Sequence, residues 1–294
     1  MKIDLHIHSN NSDGRWAPEE IFKEAQRKKI GFISITDHDS IQGQESSRML
    51  SDAYSIQYIF GLELNVSFSH PRYRDSKPIS LDFLGYDFDI TFQPLVKKLI
   101  NLRDFRNQRA EKILEKINHE LHEEGLSILT HEDLEEIQST VDGSFGRPHI
   151  ANYMVKKGLV SSKQEAFDKY LTKCNVPKMP LSISEASELI RGAGGKLILA
   201  HPSDPNGTSL ATLTPSLDEQ QKIIKDVMLP YIDGIECWHS RHDRDTSNFY
   251  LSFVKNLGLI ATGGSDCHQQ PVLMGTVDTP IFVSEQFAPT LQKI

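Results

Sequence analysis

Short apolar runs alternate with helix-like stretches over the first 90 residues and again in the last third of the chain. Pro18 opens a predicted helix over residues 17–29. The apolar runs, bounded by turn residues, predict strands at 1–8, 32–36, 56–64, 79–86, 196–200, 234–238, 259–263 and 279–283. Strands that alternate with helices are typical of a parallel α/β sheet or barrel.

Residues 92–187 have a different texture, because charged residues are frequent and apolar residues recur at helical spacing. The apolar positions that show this spacing are Val96, Leu99, Leu102, Ile113, Leu114 and Ile117. The pattern predicts helices and no strand, so this segment is expected to be an α-helical insertion. The chain then divides into a discontinuous α/β domain, residues 1–91 and 188–294, and the insertion at 92–187.

The composition is that of a globular enzyme, with 38% apolar and 24% charged residues among 294. No run approaches the roughly 18 uninterrupted apolar residues of a membrane span. The net charge of −8 argues against gripping a long polyanion and favours a small charged substrate. Three separated cysteines predict neither a disulfide framework nor a thiolate zinc site. The first residues lack a secretory signal pattern, so a cytoplasmic location without an obligate protein partner is expected.

Histidines and carboxylates collect at the ends of the predicted strands, where an α/β barrel carries its active site. They form five clusters: His6 and His8 with Asp13, Asp37-His38-Asp39, Glu63, His201, and Asp266 with His268. A single histidine at a strand end is ordinarily structural, but five such ends are costly to bury unless their groups bind metal ions. Nitrogen and oxygen donors without thiolates suit Mn, Fe or Zn, and a shared carboxylate such as Glu63 can bridge two ions.

The order and spacing of these motifs resemble the PHP (polymerase and histidinol phosphatase) superfamily of metal-dependent phosphoesterases. The resemblance covers essentially the whole chain, through His6-x-His8, Ser12-Asp13-Gly14, Thr36-Asp37-His38-Asp39, Gly61-x-Glu63, Ala200-His201-Pro202 and Ser265-Asp266-x-His268. The insertion is similar to that of the nucleotide phosphatase branch, through Arg106-Asn107-Gln108-Arg109 and Gly146-Arg147-Pro148-His149. The resemblance implies a distorted (β/α)7 barrel with a helical insertion and three divalent metal ions, Mn first and Fe or Zn as alternatives.

The resemblance also implies which residues hold the metal ions. The first ion would be held by His6, His8, Glu63 and Asp266, the second by Glu63 and His201, and the third by Asp13, His38 and His268. Asp82 stands where the family has one further histidine, and it would complete the second site. A carboxylate there adds a negative charge and makes the second ion a weaker Lewis acid. His70, in the preceding loop, is a weaker candidate for the same position.

Hydrolysis would use a water molecule whose pKa a divalent ion lowers from about 15.7 to about 7. Glu63 would be a catalytic residue, because it holds the two ions that share it. Arg147 in the insertion can bind a phosphate in bidentate fashion, and Lys178, Arg241 and His242 are further substrate-binding candidates. His242 could also donate a proton to the leaving oxygen, or it could be an ordinary surface histidine.

Two substrate classes and one non-catalytic class stay open. The resemblance implies that aspartate at the Asp82 position accompanies enzymes that open 5-phosphoribosyl 1,2-cyclic phosphate and then remove the monoester. The charge has the matching sign, because a cyclic diester carries one negative charge fewer than a monoester. The alternative is a phosphatase of nucleoside 3′,5′-bisphosphates that also trims short RNA from the 5′ end. A non-catalytic PHP accessory module, like those attached to polymerases, is disfavoured because the set of metal ligands is nearly complete.

Overall fold

The fold is mixed α/β, as the alternating pattern predicts. A computed structural model describes residues 1–139, 146–177, 179–269 and 272–287. Within these residues the strands are β1 Lys2–Ile7, β2 Ile30–Ile35, β3 Gln57–Tyr58, β4 Gly61–Phe68, β5 Ile79–Tyr86, β6 Lys196–Leu199, β7 Gly234–His239 and β8 Ile260–Gly264. The helices are α1 Pro18–Lys28, α2 Gln44–Tyr54, α3 Gln93–Glu123, α4 His131–Ser139, α5 Arg147–Lys156, α6 Lys163–Ala166, α7 Ile183–Gly192, α8 Leu217–Ile223, α9 Arg244–Leu257 and α10 Phe282–Glu285.

The strands form two sheets. The first is parallel, in the order β1-β2-β3, and the second has the order β4-β5-β6-β7-β8. β4 and β6 both run antiparallel to β5, whereas β6, β7 and β8 are parallel. The expectation of an all-parallel arrangement is therefore wrong for β5. The connection between β4 and β5, residues 69–78, contains only a short 3₁₀ turn, Arg74–Ser76. It is too short for the crossover of a dozen or more residues that parallel neighbours need, so the two strands are antiparallel.

Single parallel bridges join the two sheets on both sides, one between Ile7 and Cys267 and the other between His38 and Glu63. The strand ladders of the described residues are interrupted at these bridges and do not form one continuous closed barrel. Both bridges lie beside the histidine motifs, so the seams between the sheets coincide with the polar end of the strands.

Two predicted strands have different outcomes in the structure. The segment 56–64 divides into β3, in the first sheet, and the start of β4, in the second sheet. The prediction of a strand at 279–283 is wrong, because α10 begins at Phe282. The amide of Val283 donates to the carbonyl of Pro280 at 3.0 Å, which is a turn contact and not a ladder contact.

The helical segment has a hydrophobic core of its own. Its buried members include Ile113, Ile117, Ile150, Met154 and Tyr170. The first half of α3 packs elsewhere, in the core that covers the outer faces of β4 to β8. α3 therefore packs with the sheet through its first half and with the insertion through its second half. The domain boundary at residue 92 stays a prediction. Among the described residues, no helix is both long and apolar enough to cross a membrane.

Candidate metal centre

The strand-end histidines and carboxylates converge at one place. β1 supplies His6 and is followed by His8 and Asp13, β4 supplies Glu63, and the segments after β2, β6 and β8 supply the others. The residues that meet there are His6, His8, Asp13, His38, Glu63, His201, Asp266 and His268. β8 can approach His6 closely because Gly264 has no side chain, since a Cβ there would lie 2.4 Å from the Cβ of His6.

Glu63 lies at the middle of the cluster. Its Oε2 is 3.5 Å from His6 Nε2, 3.2 Å from His8 Nε2 and 3.1 Å from His38 Nδ1. Its other oxygen, Oε1, is 3.1 Å from His201 Nε2. The carboxylate is 1% exposed, so both oxygens are committed to these neighbours. The two oxygens face different sets of nitrogens, which is the arrangement that a carboxylate shared by two ions requires.

His6 and His8 approach each other through their Nε2 atoms. Their Nε2 atoms are 3.2 Å apart, and Asp266 Oδ1 lies 3.4 Å from the first and 3.3 Å from the second. Donor atoms that share one ion at about 2.1 Å are separated from each other by roughly 3.0–3.4 Å. The spacing therefore fits a divalent ion bound by His6, His8 and Asp266, and the place of Glu63 at the same ion stays a prediction.

A second group of potential ligands lies on the open side of the cluster. Asp13 Oδ1 is 3.0 Å from His268 Nε2 and 3.6 Å from His8 Nδ1, and Asp13 Oδ2 is 3.8 Å from His38 Nε2. A further group is formed by His6, Glu63 and His201. The chain thus brings together eight of the nine residues that the sequence nominates as ligands.

Asp82 is the ninth, and it lies at the edge of this arrangement. It pairs with Asn65 across β4 and β5, and Asn65 Nδ2 donates to its carboxylate. It is outside the ligand groups that the described residues form. It does line the cavity next to Asp13 and His38, so its role as a ligand stays a prediction.

Two buried acids lie behind the potential ligands: Glu236, which the sequence reasoning missed, and Asp37, to which it gave no role. Glu236 on β7 is fully buried, its Oε1 is 3.0 Å from His6 Nδ1, and its Oε2 accepts from the amide of His201 at 2.8 Å. Asp37 accepts from the amide and hydroxyl of Ser9 at 2.7 and 2.6 Å. Such partners fix the tautomer and orientation of a metal ligand. The signal in the sequence is a single acid inside an apolar strand, Gly234-Ile235-Glu236-Cys237.

The cluster is strongly coupled electrostatically. Burial would lower the pKa of His6 and His8, but the nearby carboxylates outweigh burial and raise both, that of His8 to about 10. Burial would likewise raise the pKa of Glu63, but His38, His6 and His201 hold it well below its usual range. Burial lowers the pKa of His38 to about 4. Metal ions must therefore displace protons from His6 and His8.

A cavity of about 540 Å³ opens from this cluster toward the helical insertion. One wall carries Asp13, His38 and Asp82, and the other carries Arg106, Arg109, Arg147 and His149. Arg147 Nη1 donates to the carbonyl of Leu171 at 3.1 Å, and its guanidinium lies 5.5 Å from the centre of the Phe167 ring. Arg106, which the sequence reasoning did not nominate, forms an ion pair with Asp39 at the boundary of the two walls.

The remaining substrate-binding candidates have other positions. Lys178 lies outside the described residues. Arg241 is 40% exposed, pairs with Asp204 at 3.4 Å and is not among the described residues that line the cavity. His242 is half-buried, with Nδ1 3.1 Å from the carbonyl of Cys237 and Nε2 accepting from the amide of Ser203 at 3.3 Å. With both ring nitrogens bonded to backbone, His242 is poorly placed to give a proton to a leaving group.

The PHP domain family matches residues 4–176, which is more than half of the chain. The chain is 27% identical to a 5′-3′ exoribonuclease of Haemophilus influenzae, over 91% of this chain and 90% of that protein. It is 26% identical to a 3′,5′-nucleoside bisphosphate phosphatase of Chromobacterium violaceum, over 90% and 87% of the two chains. It is 21% identical to a phosphoribosyl 1,2-cyclic phosphate 1,2-diphosphodiesterase of Eggerthella lenta, over 91% and 94%.

The fold has solved counterparts as well. An amidohydrolase from Chromobacterium violaceum, solved with bound sulfate and no metal, superposes with a TM-score of 0.77 at 24% identity, covering 98% of this chain and 96% of that one. The predicted enzyme class, a hydrolase of phosphate esters, is confirmed together with the predicted family. The chain belongs to the PHP domain family.

Proposed function

We propose that this protein hydrolyses a phosphate ester of a small sugar or nucleotide that carries a second phosphate group. The observation that carries the proposal is the cavity between the ligand cluster and the insertion, with acidic and imidazole groups on one wall and three arginines on the other. A reacting phosphate would lie against the first wall, and the second phosphate would bind to the arginines.

The arginine wall has the properties of an anion site. Burial lowers the pKa of Arg106 and of Arg109 to about 10, so both are poorly hydrated yet still charged at neutral pH. Arg109 donates to the carbonyl of Val176 and to the side-chain oxygen of Asn175, and Arg147 donates to a carbonyl. These partners are uncharged, so within the described residues the positive charge of this wall is balanced only in part, by Asp39, the partner of Arg106. A bound phosphate would supply the missing negative charge.

The ligand cluster would hold three divalent ions, Mn²⁺ first and Fe or Zn as alternatives. The residues proposed as ligands are His6, His8, Asp13, His38, Glu63, Asp82, His201, Asp266 and His268. When bound, such ions neutralise charge on phosphoryl oxygens and bring the pKa of water near 7. Glu63 separates two ligand groups with its two oxygens. In a neutral, metal-binding His6, Glu236 would accept the proton of Nδ1 and leave Nε2 as the nitrogen that binds the ion.

Two substrates fit the proposal, and Asp82 supports one of them. The carboxylate of Asp82 faces the cavity on the wall where the reacting phosphate would bind. A cyclic diester brings about one negative charge there, whereas a monoester brings about 1.5 to 2, so Asp82 repels the diester less. We therefore favour 5-phosphoribosyl 1,2-cyclic phosphate, with opening of the ring followed by removal of the monoester. The names of the relatives at 26 and 27% identity support the second candidate, a nucleoside 3′,5′-bisphosphate or the 5′ end of a short RNA.

Finer features of the protein are part of the same proposal. The bridges that join the two sheets on both sides support a distorted (β/α)7 barrel interrupted at its seams. A cytoplasmic location is supported by three free, buried cysteines.

The test is phosphate release by the Mn²⁺-loaded protein from 5-phosphoribosyl 1,2-cyclic phosphate and from adenosine 3′,5′-bisphosphate. Ribose 1,2-cyclic phosphate and adenosine 3′-phosphate, which lack the second phosphate, are the matched controls. Loss of the contacts to the arginines is expected to lower kcat/KM by about 10- to 100-fold for each control. Equal kcat/KM with and without the second phosphate would contradict the two-phosphate proposal, and faster release from the bisphosphate would reverse the order of the two candidates.

A further inference from the structure

A bulge in β7 turns two of its residues toward the ligand cluster. Glu236 pairs with Thr262 of β8, and Trp238 pairs with the next residue of β8, Gly263, so Cys237 is an extra residue. Residues three apart on a regular strand face opposite sides of the sheet. Because the bulge inserts one residue, Glu236 and His239 both face the cluster. Trp238 faces the other way and packs edge-on against Phe282, with the ring centres 5.8 Å apart.

His239 presents a proton to the cluster. The side chain is buried, and its Nδ1 accepts from the amide of Arg241 at 3.3 Å. A neutral imidazole whose Nδ1 accepts a hydrogen bond carries its proton on Nε2. This Nε2 has no hydrogen-bond partner within the described residues, and the acceptor that it faces is Asp266 Oδ2, at 3.4 Å.

Asp266 divides its two oxygens between the cluster and His239. Oδ1 is within 3.5 Å of His6 Nε2, His8 Nε2 and His268 Nδ1, whereas Oδ2 faces His239 Nε2. The backbone of Asp266 is in the left-handed region, with φ 55°, and its amide donates to the carbonyl of His6 at 2.8 Å. The backbone thus fixes the direction of the Asp266 side chain. Rotation about its Cβ–Cγ bond then decides which carboxylate oxygen faces His6 and His8.

A cation held by His239 is the competing explanation. Asp204, His239 and Asp266 lie close enough together to form a three-ligand group. However, a protonated Nε2 cannot bind a cation, and the bond from Arg241 keeps the proton there. Asp204 already accepts from the amide of Asn206 at 2.9 Å and pairs with Arg241. A protonated Nε2 that faces Asp266 Oδ2 at 3.4 Å therefore accounts for His239 better than metal binding does.

We propose that His239 is a positioning residue that holds Asp266 Oδ2 and thereby directs Oδ1 to the metal ion shared with His6 and His8. The bulge at Cys237 makes this possible and gives β7 two supporting residues, Glu236 for His6 and His239 for Asp266. The inference rests on the proposed ligand role of Asp266, which the same experiment tests separately.

The experiment measures Co²⁺ binding to the full chain by competition with a chelator, together with the visible spectrum of the bound Co²⁺. His239→Phe keeps an aromatic ring but removes the donor, whereas His239→Gln keeps a donor N–H. Loss of an outer partner of a metal ligand typically lowers affinity by about 10- to 100-fold, so His239→Phe should bind that much more weakly, and His239→Gln should stay within about threefold of wild type. Trp238→Phe is the matched control on the opposite face and should bind Co²⁺ like wild type.

Three results would overturn the inference: wild-type Co²⁺ affinity in His239→Phe, equal losses in the Phe and Gln variants, or loss of phosphate release with unchanged Co²⁺ binding and spectrum. The last result would make His239 a participant in the reaction. Asp266→Asn tests the ligand role of Asp266 separately from the positioning role of His239, because wild-type Co²⁺ binding by this variant would refute the ligand role. If His239→Phe does not fold, His239→Ala is the second variant without a donor.

Discussion

Replacing Glu63 by glutamine removes the negative charge at the middle of the ligand cluster and keeps the size of the side chain. Four imidazole nitrogens, from His6, His8, His38 and His201, lie within 3.5 Å of its oxygens. A neutral amide cannot balance the charge of ions on both sides of it, and its NH₂ group would face nitrogen lone pairs.

The size of the effect follows from the charge and the burial. A pair of unit charges about 4 Å apart, at an effective dielectric constant of about 20, is worth about 4 kcal/mol. This corresponds to about a thousandfold in affinity. Because Glu63 is 1% exposed, solvent screening reduces this figure little. We expect Glu63→Gln to bind Mn²⁺ about a thousandfold more weakly and to release phosphate at a correspondingly lower rate at limiting Mn²⁺.

The assay is a competition titration with a chelator at pH 7.5, combined with elemental analysis of the bound metal. Glu111→Gln is the matched control, because it makes the same chemical change at an exposed position of α3 and also removes one negative charge from the protein. Mn²⁺ affinity within about threefold of wild type in Glu63→Gln would refute the central position of Glu63, since loss of even an outer partner typically costs 10- to 100-fold.

Three further predictions concern the cavity, the substituted ligand and the protons. Arg147→Ala should raise KM about 10- to 100-fold for a substrate with a second phosphate while leaving the amount of bound metal unchanged. Arg103→Ala, on the exposed side of α3, is the control. A normal KM in Arg147→Ala would show that Arg147 does not bind the substrate. Asp82→Asn should lower the amount of bound metal, and Asp82→His should shift the activity ratio from cyclic diester to monoester; equal ratios in wild type and Asp82→His would refute the second claim. Because the pKa of His8 rises from 6.5 to about 10 without metal, Mn²⁺ binding at pH 8 should release protons, measured by calorimetry in two buffers, and no release would contradict the coupling. The raised pKa of His8 also stabilises the folded metal-free protein, and this contribution is complete below pH 6.5, where the imidazole is protonated in the unfolded chain as well. The Tm of the metal-free protein should therefore fall as the pH rises from 6.5 toward about 10.

Most of the proposed ligand set is predictable from local sequence because strand geometry is local. Alternation along a strand puts His6 and His8 on one side, and the ends of neighbouring strands bring Glu63 and His201 to the same edge. In the structure a side-chain nitrogen of His6, His8 and His201 each lies within 3.5 Å of a Glu63 oxygen, as that rule leads one to expect. The helical character of 93–123 and 147–156 is likewise readable from spacing alone.

The parts that sequence could not predict depend on long-range pairing. The antiparallel direction of β5 depends on a connection from β4 that contains no α-helix. The orientation of Glu236 and His239 depends on a bulge in β7, which the periodicity of the strand does not show. The arginine wall needs α3 and α5 to pack so that Arg106 and Arg147 reach one cavity. Regular spacing on each helix gives no information about that contact.

The most direct test of the account is to count bound metal and measure phosphate release in the same sample, before and after removal of metal with a chelator. The account predicts that the stripped protein is inactive and that activity returns as Mn²⁺ is added, in proportion to metal bound, up to three ions per chain. Full activity in protein shown to contain no metal, or full metal binding without phosphate release from any of the four substrates, would contradict it.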